Sequence, residues 1–276
     1  MTRNVIVTGG SGGIGLETAK ALAAAGDAVI LTGRDPNKLQ DAVATVNAGA
    51  TGPRSEGLPL DMGDFEAVRA FADDIGNRLP AIDVLVLNAG LYTRKLHTLP
   101  NGYEAMIGVM HLGHFLLANR LLERLLAAPA PRVILTSSVA HKTGRIDFES
   151  FTDPRRHRIG FSGYAQAKLA NLIFARELAR RYGDRGLTAN AFHPGAVATG
   201  IWRELPQPIP WLADKLMITP AQGADTAIWL ATADEARGIN GEYLVNRRIA
   251  KSSARSRDPE LARRLWTESE HMSGLT

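Results

Sequence analysis

Short runs of β-branched and aliphatic residues recur along the chain, each closed by small or turn-forming residues and followed by a longer stretch of helical periodicity. Val5-Ile6-Val7 is the first, and 28–32, 82–87, 132–136, 186–193 and 242–245 follow it, with 54–60 a weaker third strand among them. Runs this short and this apolar fit strands buried on both faces of a parallel sheet, since half-exposed strands would alternate apolar and polar positions. Between them 16–25, 36–46, 64–76, 102–127, 162–182 and 221–231 read as helices, with a last surface helix at 258–268. Asp35-Pro36 and Asp64 carry the cap chemistry that opens two of these helices. Strictly alternating strands and helices predict an α/β fold around a parallel sheet.

Length makes this one domain spanning 1–276, because a single doubly wound sheet uses a chain of 276 residues without remainder. The stretch 196–218 is rich in proline and tryptophan (Trp202 and Trp211 among them), which suggests a lid over an apolar ligand; 247–276 reads as a surface tail. There is no cysteine, which excludes disulfides, thiolate metal sites and a cysteine nucleophile. The formal net charge of +4 comes from scattered arginines and short clusters, a solvated surface rather than a nucleic-acid tract. No apolar run approaches the ~20 residues of a membrane span, so a cytoplasmic protein without membrane contact is expected.

The candidate chemistry lies at the C-terminal ends of the strands, where doubly wound sheets bind ligands. Gly9, Ser11, Gly12, Gly13, Ile14 and Gly15 follow the first strand and open the first helix, a turn able to bring backbone N–H groups and a positive helix end against a pyrophosphate. Gly9 to Gly13 also match the G-x-S-x-G elbow of serine hydrolases, but an elbow needs earlier strands to complete its oxyanion hole, and only one strand precedes Ser11. Gly33-Arg34 stand where an acidic residue would bind the adenosine ribose. Arginine there pairs with a 2′-phosphate, which favours NADP(H) over NAD(H). Asp61-Met62 follow the third strand, and the Asp61 carboxylate is suited to an adenine amino group or to capping. Small residues at Asn88-Ala89-Gly90 let a cofactor lie over the fourth strand. Ser137-Ser138 end the fifth strand; Tyr164 and Lys168, four apart on a helix, share one face. Pro194-Gly195 close the sixth strand. His111 and His114 have metal-compatible spacing but no third ligand, so packing roles are expected and no metal.

Together, the 8–15 turn, Asn88-Ala-Gly90, Ser138, Tyr164-Ala-Gln-Ala-Lys168 and Pro194-Gly195 resemble the short-chain dehydrogenase/reductase family over essentially the whole chain. His111-Leu-Gly-His-Phe115, Ser137-Ser-Val-Ala-His141, Lys168-Leu-Ala-Asn171 and Ala262-Arg-Arg-Leu-Trp266 are most similar to its retinol-dehydrogenase-like branch. The resemblance implies a seven-stranded parallel Rossmann sheet of order 3-2-1-4-5-6-7 and hydride transfer between NADP(H) and a small-molecule carbonyl or alcohol; the Trp202 to Trp211 lid, not the resemblance, suggests that this substrate is bulky and apolar. It also implies a homodimer or homotetramer, and a cofactor wall that continues through Val197 and Thr199. Ser138 would hold the carbonyl, Tyr164 act as acid/base, and Lys168 lower the tyrosine pKa and grip the nicotinamide ribose. One position departs from the pattern: Met110 stands where a relay asparagine precedes the His-Leu-Gly-His-Phe run. A thioether cannot donate a hydrogen bond, so the relay must run elsewhere, through a backbone carbonyl or His111. Otherwise the chain binds NADP(H) with weak or no redox activity.

Overall fold

The computed structural model describes residues 2–157, 159–197 and 217–275. Strands β1 (Asn4–Val7), β2 (Ala28–Gly33), β3 (Glu56–Pro59), β4 (Val84–Leu87), β5 (Arg132–Thr136), β6 (Thr188–His193), β7 (Tyr243–Val245) and β8 (Arg248–Ile249) form one sheet of order 3-2-1-4-5-6-7-8. The first seven pair in parallel, as the apolar runs require. The eighth was not expected: β8 turns back antiparallel on β7. Asn246 and Arg247 between them both have positive φ, the two-residue hairpin geometry normally signalled by glycine, which Arg247 hides.

Helices α1 (Gly13–Ala24) and α2 (Pro36–Ala48) cover one face of the sheet, and α3 (Phe65–Arg78) the other. The predicted helix at 102–127 is in four pieces: α4 (Ala105–Ile107), a π-turn over Gly108–Leu112, α5 (Gly113–Arg120) and α6 (Leu122–Leu126). Helix α7 (Gly160–Tyr182) is buried along most of its length, and α8 (Pro220–Thr232) completes the α1 side. Asp35 and Asp64 cap α2 and α3 as their positions predicted.

The C-terminal helix α9 (Pro259–Ser273) corrects the surface-tail reading. Leu265, Trp266 and Ser269 are buried. The Trp266 ring meets Phe115 at 5.0 Å and Phe174 at 5.9 Å, with the Arg181 guanidinium 4.0 Å above it. Apolar residues one turn apart give α9 a sticky stripe, and the core between α5 and α7 takes it in. Among the described residues no helix is long and apolar enough to cross a membrane. Most of the predicted lid, with Trp202 and Trp211, lies outside the described residues; its ends are pinned by a β-bridge between Val197 and Ile218.

Candidate functional site

One cavity of about 910 Å³ opens along the C-terminal ends of β1, β2, β4, β5 and β6. Every predicted site residue lines it except Gly15 and Thr199. Thr199 lies outside the described residues. Gly15 does not line the cavity: a Cβ there would stand 2.3 Å from the Gly9 carbonyl oxygen and 2.6 Å from Asn88 Nδ2, so this glycine seats α1 against the strand ends.

The glycine turn is shaped by close approach. Gly9 has φ of 65°, and a Cβ on it would be 2.9 Å from the Ala89 Cα, so only glycine lets β1 and β4 end side by side. A Cβ on Gly12, by contrast, would meet nothing within 4 Å; it would project into open space. No side chain caps α1, and its ladder begins with Leu16 N donating to the Gly12 carbonyl. The N–H groups of its first turn therefore stand uncapped at the cavity wall, where the helix dipole favours an anion. Arg34, exposed at the end of β2, lines the same end of the cavity. Lys38, one helical turn on, joins it, a second cation that the sequence reading missed although its spacing from Arg34 signals it. Cradle and cations together fit a phosphorylated dinucleotide. Asp61 also lines the cavity, with one carboxylate oxygen accepting from Gly63 N at 2.8 Å, so it closes its own turn whatever else it meets.

Behind the cradle sits a buried polar joint. The Thr8 hydroxyl oxygen accepts from the backbone N–H of Asn88 at 2.8 Å and of Ala89 at 3.0 Å, and lies 2.9 Å from His114 Nε2. His114 Nδ1 lies 3.0 Å from the Met110 carbonyl, which can only accept, so Nδ1 carries the proton and Nε2 accepts from Thr8. Burial pushes the His114 pKa down to about 3, keeping the ring neutral, as that pairing requires. Asn88 returns the favour through its side chain: Nδ2 donates to the Thr8 carbonyl at 3.1 Å, and Oδ1 accepts from Thr136 at 3.2 Å. Thr8 and His114 thus fix the Asn88-Ala89-Gly90 edge. A motif search passes over these supporting positions because neither touches the cavity.

At the other end of the cavity Ser138, Tyr164 and Lys168 come together. Ser138 caps a 3₁₀ turn (Val139–Lys142) by accepting from Ala140 N at 3.2 Å, and its side chain is hydrogen-bonded to the Tyr164 hydroxyl. Lys168 Nζ lies 5.5 Å from the Tyr164 ring centroid and donates to the Thr136 carbonyl at 3.1 Å. Burial pushes the Tyr164 pKa up to about 12 against the opposing Ser138 hydrogen bond, and drives Lys168 down to about 8. A lysine-lowered tyrosine is therefore not what the protein alone provides: the ammonium is turned to a backbone carbonyl, and desolvation wins. His141 supports this turn from behind. Its Nδ1–H donates to the Ser138 carbonyl at 2.6 Å, and its Nε2 accepts from Ser253 N at 3.3 Å.

Met110 is fully buried in the π-turn, its sulfur 3.2 Å from where a Gly90 Cβ would be. The suggested detour through His111 is not available. That ring faces away from the cavity, with Nε2 2.9 Å from Ser269 Oγ on α9 and an edge toward Phe174. Ser11 lies over Gly33 at the end of β2, 2.7 Å from where a Gly33 Cβ would stand, among the cradle residues.

Residues 3–209 match the short chain dehydrogenase family. Retinol dehydrogenase 13 from Mus musculus is 36% identical over 284 residues, covering 99% of this chain and 84% of that protein. A crystal structure of an uncharacterized protein from Mycobacterium paratuberculosis superposes with a TM-score of 0.81 at 33% identity, covering 99% of this chain and 93% of that one. A short chain dehydrogenase from Burkholderia cenocepacia J2315 in complex with NADP superposes at 0.71 with 27% identity, covering 88% of this chain and 95% of its own.

Proposed function

The chain belongs to the short-chain dehydrogenase/reductase family, in its retinol-dehydrogenase-like branch, and from that premise we propose that this oxidoreductase interconverts a carbonyl and an alcohol with NADP(H). The observation that carries the reading is the convergence of Ser138, Tyr164 and Lys168 on the cavity that the glycine cradle opens into. Arg34 and Lys38 at the adenosine end favour the 2′-phosphate of NADP(H), as bound in the Burkholderia relative. Leu91, Val109, Val139 and Phe161 on the cavity wall favour a bulky apolar substrate. The N-terminal turn of α1 would hold the pyrophosphate, and Lys168 the nicotinamide ribose.

The cofactor, when bound, supplies the hydride to the carbonyl carbon. Ser138 donates a hydrogen bond to the carbonyl oxygen and orients it. Tyr164, protonated at neutral pH because burial holds its pKa at about 12, gives its proton to the oxygen as the alkoxide forms. Lys168 near 8 carries its charge in the neutral range and loses it above. Reduction therefore needs the protonated forms of both, and its rate falls as pH rises through the Lys168 pKa.

Tyr164→Phe tests this. With a panel of apolar ketones and aldehydes and NADPH, turnover falls about 100-fold or more while the NADPH Kd stays within about twofold. Retained turnover would remove Tyr164 from the mechanism. The second reading, a protein that binds NADP(H) without redox chemistry, is favoured by the thioether in the relay position. Tight NADPH binding with no wild-type turnover across the panel would select it.

A further inference from the structure

Each alcohol formed consumes one proton from solvent, and Lys168, buried and tied to a backbone carbonyl, stands beside Tyr164 with Nζ 5.5 Å from its ring centroid. The usual supplier on the α4–α5 side is replaced by Met110, and both histidines of that segment are engaged elsewhere. On the β5–β6 side the polar groups are arranged differently. The Thr136 carbonyl that accepts from Lys168 Nζ also accepts from Asn171 Nδ2 at 3.2 Å, so the amide sits immediately beside the ammonium. That bond fixes the amide orientation and leaves Asn171 Oδ1 as an acceptor, fully buried and without a hydrogen-bond partner among the described residues.

His193 approaches from the neighbouring strand. It lies one residue beyond Phe192, which pairs with Thr136, and strand alternation turns it to the face opposite Phe192, toward α7. Its ring lines the cavity, yet its Nδ1 is buried with no hydrogen-bond partner among the described residues. His141 and Lys142 from the 3₁₀ turn and Lys168 from α7 all bear on it electrostatically. Tyr243 of β7, with its hydroxyl also unpartnered, packs on His141 at 4.6 Å. Buried polar atoms left open in a group are where proteins hold internal water.

We propose that Asn171 and His193 supply the proton to Lys168, in place of the relay asparagine whose position Met110 occupies. This rests on the reductase reading above. Asn171 is the positioning residue: its Oδ1 accepts one O–H of a water set between Lys168 and His193. Once Tyr164 has protonated the alkoxide it regains a proton from the Lys168 ammonium. The resulting amine takes a proton from that water, which takes the Nδ1 proton of His193. His193 takes a proton from cavity water at Nε2 as its Nδ1 proton leaves, and exchange through water returns the ring to the Nδ1–H tautomer before the next cycle, so one solvent proton enters for each alcohol made.

Two measurements test this. In a crystal structure of the NADPH complex, at a resolution that reveals ordered water, a water lies within hydrogen-bond reach of Asn171 Oδ1; a dry, closed contact there would overturn the proposal whatever the activity. Kinetically, Asn171→Leu and His193→Phe each lower kcat about tenfold or more and raise the solvent deuterium isotope effect, as proton resupply becomes limiting. The NADPH Kd changes less than about twofold. A loss of kcat with an unchanged solvent isotope effect would assign both residues a structural role only, and unchanged kcat would mean that protons enter directly from the cavity. Either result sinks the relay alone. A wild-type protein that reduces no carbonyl sinks the reductase reading, and the relay with it.

Discussion

Replacing Thr8 by valine removes one oxygen atom and almost no volume, and the structure says how much that atom is worth. It accepts two backbone N–H groups, those of Asn88 and Ala89, and donates to His114 Nε2. Valine leaves all three without a partner in a region that water enters only in part. At about 1 kcal/mol or slightly more for each, the loss is about 2–4 kcal/mol of folding stability. That is a large share of the ~5–15 kcal/mol that holds a typical domain together. Because the two stranded amides belong to the edge that lines the cavity, the NADPH Kd rises as well, by about tenfold for each 1.4 kcal/mol transferred to binding. Urea unfolding followed by circular dichroism, with NADPH fluorescence titration alongside, measures both. Thr8→Ser keeps the oxygen and stays within about 1 kcal/mol of wild type. If Thr8→Val unfolds within about 1 kcal/mol of wild type, or Thr8→Ser loses as much as Thr8→Val, the joint is not held by its hydrogen bonds and the reasoning fails.

Two further perturbations probe the cofactor end and the core. Arg34→Ala weakens NADPH about tenfold or more and leaves NADH nearly unchanged, as loss of a charge-assisted pair to the 2′-phosphate requires; equal loss for both cofactors in a binding titration would refute that role. His111 and His114, both held near 3 by burial against an ordinary value of 6.5, make the fold acid-sensitive. The unfolded chain binds two protons that the native state refuses between those values, so stability rises with pH there and is lost on acidification, by about 2.5 kcal/mol per ring at pH 4.5. A far-ultraviolet spectrum unchanged at pH 3.5 would contradict it.

Most of the parallel strands were legible because burial on both faces leaves uninterrupted apolar runs, the half-exposed edge strand β3 being the exception, and the cradle because glycine, a strand and a helix cannot coincide often in that order. That Arg34, Ser138, Tyr164 and Lys168 line one cavity was legible through their place at strand ends or on one helix face. Thr8 and His114 were not, since a buried hydroxyl and a buried imidazole declare themselves only when their partners, 80 and 106 residues apart from Thr8, are brought together. The β7–β8 hairpin escaped because Arg247 adopts a positive φ without the glycine that announces it. The C-terminal helix was misjudged for a different reason. Its arginines and glutamates dominate the composition, while Leu265 and Trp266 decide where it goes. Lys168 taught the electrostatic lesson: spacing put a charge one turn from Tyr164, but not the direction in which its ammonium points or the cost of burying both.

The bond from Ser253 N to the His141 ring joins the serine turn to a segment translated more than a hundred residues later. During synthesis the cradle, the tyrosine and the lysine all emerge before the strand and tail that steady Ser138. Arg176 reinforces the same delay, since its guanidinium reaches the Ser256 carbonyl at 2.8 Å and Ser252 Oγ at 3.1 Å. A chain halted before residue 253 would thus hold its serine turn without that anchor.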